Sequence, residues 1–220
     1  QSPLDFDRDG IYDVIITADD AATWFATQHR ESLFADTPIV FFGVNDMNFG
    51  LSFNQVPQVT GILEATANRE TIETVYSLFG EDTPMYIITD ATPTGQLDFQ
   101  RFEFELLNMK VQKYEVLSLT TLSHDELIRK ASSLDPSGVI IMIACFRDHN
   151  GESREFSNSL ARLRKQTPIP ILHLWRHSIG QGILGGKVVS HFHQARSAAT
   201  MALSILNGAD PDQFKVDSTP

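Results

Sequence analysis

Short apolar, β-branched runs alternate with longer amphipathic stretches along most of this 220-residue chain, and that alternation restricts the fold more than any other feature. Asp13–Thr17, Pro38–Val44, Val59–Glu64, Met85–Thr89, Tyr114–Leu119, Val139–Phe146 and Ile169–Trp175 read as strands. Several are continuously apolar rather than alternating, which marks strands covered on both faces. Between them lie helical patterns. One holds Trp24, Phe25 and Leu33, with Asp19 or Asp20 available as its cap. A second runs from Asn68 through Ile72, Val75 and Phe79 and stops at Gly80. Thr94–Met109 is a third, and a fourth, opened by the capping box Ser123–Glu126, ends near Leu134. Phe156, Leu160 and Leu163 mark a fifth. Phe192, Ala195, Ala199, Leu203 and Leu206 mark a last one, closed by Asn207–Gly208. Asn48–Gln58 reads as loop. This order predicts an α/β protein with parallel sheets and helices on both faces.

The charge distribution suggests where such a chain divides. The net charge is −11. Residues 1–80 carry only Arg8, Arg30 and Arg69, and no lysine, against twelve carboxylates. The acidic and mixed-charge halves part at Gly80, which predicts a first lobe over 1–80, a second over 81–187, and a return to the first lobe over 188–220. An acidic chain with no basic stripe has no means of tracking a phosphate backbone, so nucleic acid is excluded as a partner. No apolar run reaches the ~20 residues of a membrane span. Membrane contact is expected only through flanking segments.

Several motifs promise chemistry that their context does not support. Gly180, Gly182 and Gly185 have the G-x-G-x-x-G spacing of a dinucleotide fingerprint, but Lys187–Ser190 continues as a strand-like run and no acidic residue follows before Asp210. Asp5, Asp7, Asp9 and Gly10 match the first half of a calcium loop whose twelfth position, Ile16, cannot chelate. Cys145 is the only cysteine and sits within an apolar run, so it reads as a small buried hydrophobe. His173, His177, His191 and His193 form a loose cluster that reads as solvated or capping side chains. The expectation is no catalytic residue, no metal and no cofactor.

Ligands of open α/β sheets sit outside the carboxyl ends of the strands. In the first half those ends supply Asp19, Asp20, Asn45, Asp46 and Glu64. In the second half they supply Thr89, Asp90, Thr92, Thr94, Phe146, Arg147, Asp148, Trp175 and Arg176. Asp19, Asp20 and Thr94 are equally readable as helix caps, and Asp90 and Asp148 as turn residues. Arg147 and Trp175 directly follow apolar strands, where a ligand would lie. Carboxylates from one half and guanidinium groups from the other suit a zwitterion such as an amino acid. Phe42, Phe146 and Trp175 are available to stack on its side chain.

Taken in order, YDVIITADD, VFFGVND, VTGILE, TDATPTG, ACFRDHNG, LWRHSIGQGILGG and the closing ILNG resemble the ABC-transporter substrate-binding-like proteins. In particular they look like the version that forms the extracytoplasmic sensor domain of bacterial histidine kinases and GGDEF-type signalling proteins. The resemblance covers nearly the whole chain. It implies a periplasmic-binding-protein type I fold, with two Rossmann-like lobes holding a small-molecule ligand and no catalysis by the domain itself. On the matching positions it implies ligand contacts from Asp19, Asp20, Asn45, Asp90, Thr94, Arg147, Trp175 and Gly180. Arg176–His177 depart from the pattern, since an acidic or aromatic residue is common there. Relatives begin with a further βαβα stretch, so the first lobe is expected to be truncated at its N-terminus, with an open sheet edge for a homodimer partner to cover. The function implied is small-molecule sensing outside the cytoplasm, tethered to the inner membrane through the parent protein. The alternative is the solute-binding component of an ABC transporter, and a nucleotide-dependent enzyme built on the glycine motif comes third.

Overall fold

The computed structural model describes residues 12–34 and 37–217. The aspartates of the calcium-like motif, Asp5, Asp7 and Asp9, lie outside the described residues. The chain divides into two compact units, Gln1–Ala65 with Ser190–Pro220, and Thr66–Val189.

The first unit is built on a parallel sheet of three strands, β1 (Ile15–Ala18), β2 (Ile39–Val44) and β3 (Val59–Leu63), in that order. Its central strand is buried on both faces. Ile39 and Phe41 pack with Ala26 of α1 (Asp19–Gln28), while Val40 packs on the other face with Ala198 and Ala202 of α7 (His191–Leu206). Gly61 lets β3 approach β2, since a Cβ there would lie 2.2 Å from the Phe41 carbonyl oxygen. The chain's end covers the outer edge of β3. The Leu63 N–H donates to the Asp217 carbonyl and the Asp217 N–H to that of Gly61. The segment expected to be loop contains a short helix, α2 (Met47–Ser52), capped by the Asp46 carboxylate through the Phe49 N–H, and then a 3-10 turn, Phe53–Gln55. Phe53 explains why: its ring is buried against Phe41 and Phe49, so the segment has an apolar anchor that its polar composition hides.

The second unit holds a four-stranded parallel sheet in the order β5–β4–β6–β7, comprising β4 (Met85–Thr89), β5 (Tyr114–Ser118), β6 (Val139–Met142) and β7 (Ile171–Leu172). Alternate residues of β4 serve opposite cores. Met85 and Ile87 pack with Ile72 and Val75 of α3 (Asn68–Phe79) and with Phe102 and Leu106 of α4 (Pro93–Asn108). Tyr86 and Ile88 pack with Leu127 of α5 (His124–Ala131) and with Leu160 and Leu163 of α6 (Phe156–Gln166). This two-sided burial is why these strands read as unbroken apolar runs. It also corrects the division expected at Gly80. α3 sends its apolar face into the core of β4 and α4, so the chain passes between units at Ala65–Thr66, before α3 rather than after it.

β6 and β7 are shorter than the runs Val139–Phe146 and Ile169–Trp175 predict. Their remaining apolar residues, Ile143, Cys145 and Leu174 among them, are buried in the loops beyond the strand ends. Lys187–Ser190 forms no full strand, but Val189 bridges Trp175 in parallel, and the Arg176 N–H donates to the Val189 carbonyl.

Candidate functional site

Chain order and sheet order part company in the second unit. β4 lies inside the sheet, its connection runs to β5 on one side, and the chain then crosses to β6 on the other. Such a switch leaves a crevice beyond the carboxyl ends of the two central strands. Asp90 directly follows β4 at this edge. It is fully buried, its Oδ1 accepts from the N–H (2.8 Å) and hydroxyl of Thr92, and its Oδ2 accepts from the Phe146 N–H at 2.6 Å. Gly95 is needed beside it, because a Cβ there would come within 2.3 Å of Oδ1. Asp90 therefore ties the loop after β4 to the loop after β6, with both oxygens engaged by the chain.

Asp148 does similar work one loop on. Burial pushes its carboxyl up, but backbone N–H donors of Glu152, His124 and Asn150 outweigh that and leave it below its ordinary value. Burial pushes the Cys145 thiol up to about 12, so it stays protonated and unreactive at neutral pH.

The side chains that do reach outward at this edge are Phe146, Arg147 and Arg176. Phe146 is 42% exposed and borders an open groove of about 590 Å³ lined also by Arg154, Asn158 and Arg162. Arg147 is half-buried. Its guanidinium Nη2 donates to the Ala91 carbonyl at 3.2 Å, and among the described residues no carboxylate lies within ion-pair distance. Trp175 is only 8% exposed and packs in the core, 5.2 Å from the His173 ring. Thr94 is exposed in the first turn of α4, where Thr92, not Thr94, is the cap. Gly180 is exposed with φ of +84°, and Gly182, Gly185 and Gly186 also take positive φ, a conformation glycine adopts without strain. No helix opens on these glycines, so they make no dinucleotide cradle. The stretch is stitched to its own unit instead, the Leu184 N–H donating to the Ile171 carbonyl at 2.7 Å.

In the first unit the strand ends form a second polar cluster. Asp20 caps nothing. Its carboxylate accepts from the Asn45 and Asp46 N–H groups, both at 3.0 Å, and so joins the ends of β1 and β2. Asp19 is exposed at φ +74°, and the α1 N-terminus has no side-chain cap. Asp46 is exposed and caps α2. At the end of β3 the buried Glu64 carboxylate pairs with His191 Nε2 at 2.8 Å. This bond raises the His191 pKa, partly opposed by burial, with a further contribution from the Glu64 and Asp19 charges. Gln194 completes the cluster, its amide donating to the Leu63 carbonyl. The sequence pattern names Glu64 but gives no reason to join it to His191, 127 residues away.

Two units, each a parallel sheet with its polar groups gathered at the carboxyl ends of the strands, define the Rossmann-like fold of the periplasmic binding proteins. Solved structures bear out that assignment. A substrate binding protein with adhesive properties from Clostridium difficile, in its ligand-free, open form, matches with a TM-score of 0.67 at 16% identity, covering 94% of this chain and 68% of that one. A conserved domain protein from Vibrio cholerae matches at 0.59 and 13%, covering 94% and 68%. The ABC domain from Streptococcus pneumonia, in complex with L-Trp, matches at 0.57 and 14%, covering 94% and 70%. No protein-family model and no curated protein matches the sequence.

Proposed function

We propose that this chain is a non-enzymatic, extracytoplasmic domain that binds a small solute bearing a carboxylate, such as a free amino acid or similar zwitterion, at the strand ends of its second unit. The observation that carries this reading is Arg147. It stands at the switch point of the second sheet, held only by a backbone carbonyl and without a carboxylate partner among the described residues. A guanidinium so placed is suited to a ligand carboxylate, which it can meet with two parallel hydrogen bonds. Phe146 beside it offers an aromatic face, and Arg176 a second cation. L-tryptophan, named with the Streptococcus neighbour, is the first ligand to try.

Isothermal titration with a panel of free L-amino acids tests the reading. Binding should weaken in Arg147→Ala by roughly tenfold to a hundredfold, the value of a charged hydrogen bond. Heat from no amino acid, or unchanged affinity in the variant, overturns it. Sensing is favoured over transport by the run of motifs from YDVIITADD to LWRHSIG. The full gene decides between them: a membrane helix with a kinase or cyclase domain after Pro220 makes a sensor, and a stop codon makes a transport component.

A further inference from the structure

We propose that His173 and His177, just beyond β7, form a two-nitrogen site for a divalent transition metal ion, with its other coordination positions filled by water or by an incoming ligand. This is independent of the amino-acid reading above. Sequence spacing treats the four late histidines as solvated or capping side chains, but the fold separates them. His191 and His193 go to the first unit, while His173 and His177 meet in the second.

Three observations point to an ion. The first is the distance: Nε2 of His173 lies 3.4 Å from Nε2 of His177. That is longer than the roughly 2.7–3.2 Å of a good N–H hydrogen bond. It matches two ligands of one tetrahedral ion, whose bonds of about 2.0–2.1 Å set ligand nitrogens about 3.3–3.4 Å apart. The second is the state of His173. Its Nδ1 faces the Met142 carbonyl at 2.5 Å, and a carbonyl only accepts, so the proton is on Nδ1 and the lone pair on Nε2, toward His177. A histidine ligand held by a backbone carbonyl through its other nitrogen is the usual support of a metal site.

The third observation is how firmly the pair is placed and how open it is on one side. His173 is 2% exposed, with its ring 4.4 Å from that of Phe156, whereas His177 is exposed in the 3-10 turn Arg176–Ser178. Gln181 donates to the His177 carbonyl at 3.0 Å and braces that turn. One ligand is therefore fixed in the core and the other reachable by solvent. Among the described residues no group of three or more His, Cys, Asp or Glu side chains converges, so the protein supplies two ligands here and no closed cage. Imidazole pairs suit copper(II), nickel(II) and zinc(II), with copper the tightest.

The test is isothermal titration of the 220-residue chain with the chloride salts of the three ions in a non-coordinating buffer. The expected result is one ion per chain, copper bound most tightly, and at least a tenfold loss of affinity for every ion in His177→Ala. His149→Ala, which alters a histidine outside the pair, should bind as the parent does. Circular dichroism checks that His177→Ala folds. The unaltered protein supplies an independent readout: zinc should shift, and copper broaden, the imidazole proton resonances of His173 and His177 ahead of those of the other histidines. No saturable binding, equal affinity in His177→Ala, or resonance changes confined to other histidines would overturn the proposal.

Discussion

Among the described residues, the two units use the same local code but enclose their sheets to different degrees. In the second, the sheet has four strands, both faces are covered by pairs of helices, and Val189 pairs with Trp175 beyond the end of β7. In the first, the sheet has three strands. The chain's end covers β3, but β1 has no partner on its outer side among the described residues, and Ile16 on it is 47% exposed. One face of that small sheet is covered by α7, brought back from more than a hundred residues away. The comparison teaches that burial, not strand propensity, sets robustness: β1 and β4 are both rich in β-branched residues, yet among the described residues only β4 is enclosed.

Truncating a core ring in each unit is the harshest way to break this comparison. Phe102→Ala in the second unit and Phe41→Ala in the first both remove fully buried rings. Each should cost about 3–5 kcal/mol in chemical denaturation. Hydrogen exchange should place the two losses in different units. If the comparison holds, the parent's first-unit amides exchange faster than the β4 and β6 amides, because fewer buried contacts protect them. Equal protection of β1 and β4 would break it.

Acid tests the second unit on its own. Burial pushes the His173 pKa down to about 4, from an ordinary 6.5. A base kept neutral by the fold must be charged on acidification, so the unfolded chain takes up the proton first. Stability is unaffected above about pH 6.5 and falls as pH drops toward 4, by about 3 kcal/mol in all. The measurement is the urea midpoint between pH 7 and 4, with a chelator present so that no bound ion contributes. His173→Gln should flatten that slope. Asp90→Asn comes next in size. It places an amide donor or a weaker acceptor against the Phe146 N–H and should cost about 1.5–3 kcal/mol, the value of a charged hydrogen bond.

Much of this was readable in the sequence, and the exceptions share a cause. The bounds of β4 and the capping box of Ser123 and Glu126 are local, and the pattern predicts both. The division between units is not local. It depends on where α3 sends Ile72 and Val75, and a helix's own pattern shows that it has an apolar face without showing which sheet receives it. The strand-end candidates divide in the same way. Arg147 and Phe146 reach outward as their position after an apolar strand suggests. Asp20 and Asp90 turn back to hold backbone N–H groups of neighbouring loops, because a carboxylate at a crowded strand end is the nearest acceptor for amides the sheet leaves unpaired. Glu64 and His191, and His173 and His177, meet only through tertiary structure.

The smallest expected effect sharpens the comparison most, because its sign is opposite to that of His173. The bond to Glu64 raises the His191 pKa. Stabilisation from a raised pKa is complete below the unfolded value near 6.5 and disappears as pH rises through the folded one. The first unit should therefore weaken as pH rises from about 6.5 toward 8, over a range where the His173 contribution is nearly constant. His191 is about half exposed, so solvent screening holds the effect to below about 1 kcal/mol. Hydrogen exchange of β3 amides across that range is the measurement, with His191→Gln as the control that should remove the pH dependence. Opposite pH slopes in the two units would show that each carries its own titrating histidine. A common slope in both would mean that they unfold as one body and that neither pair acts locally.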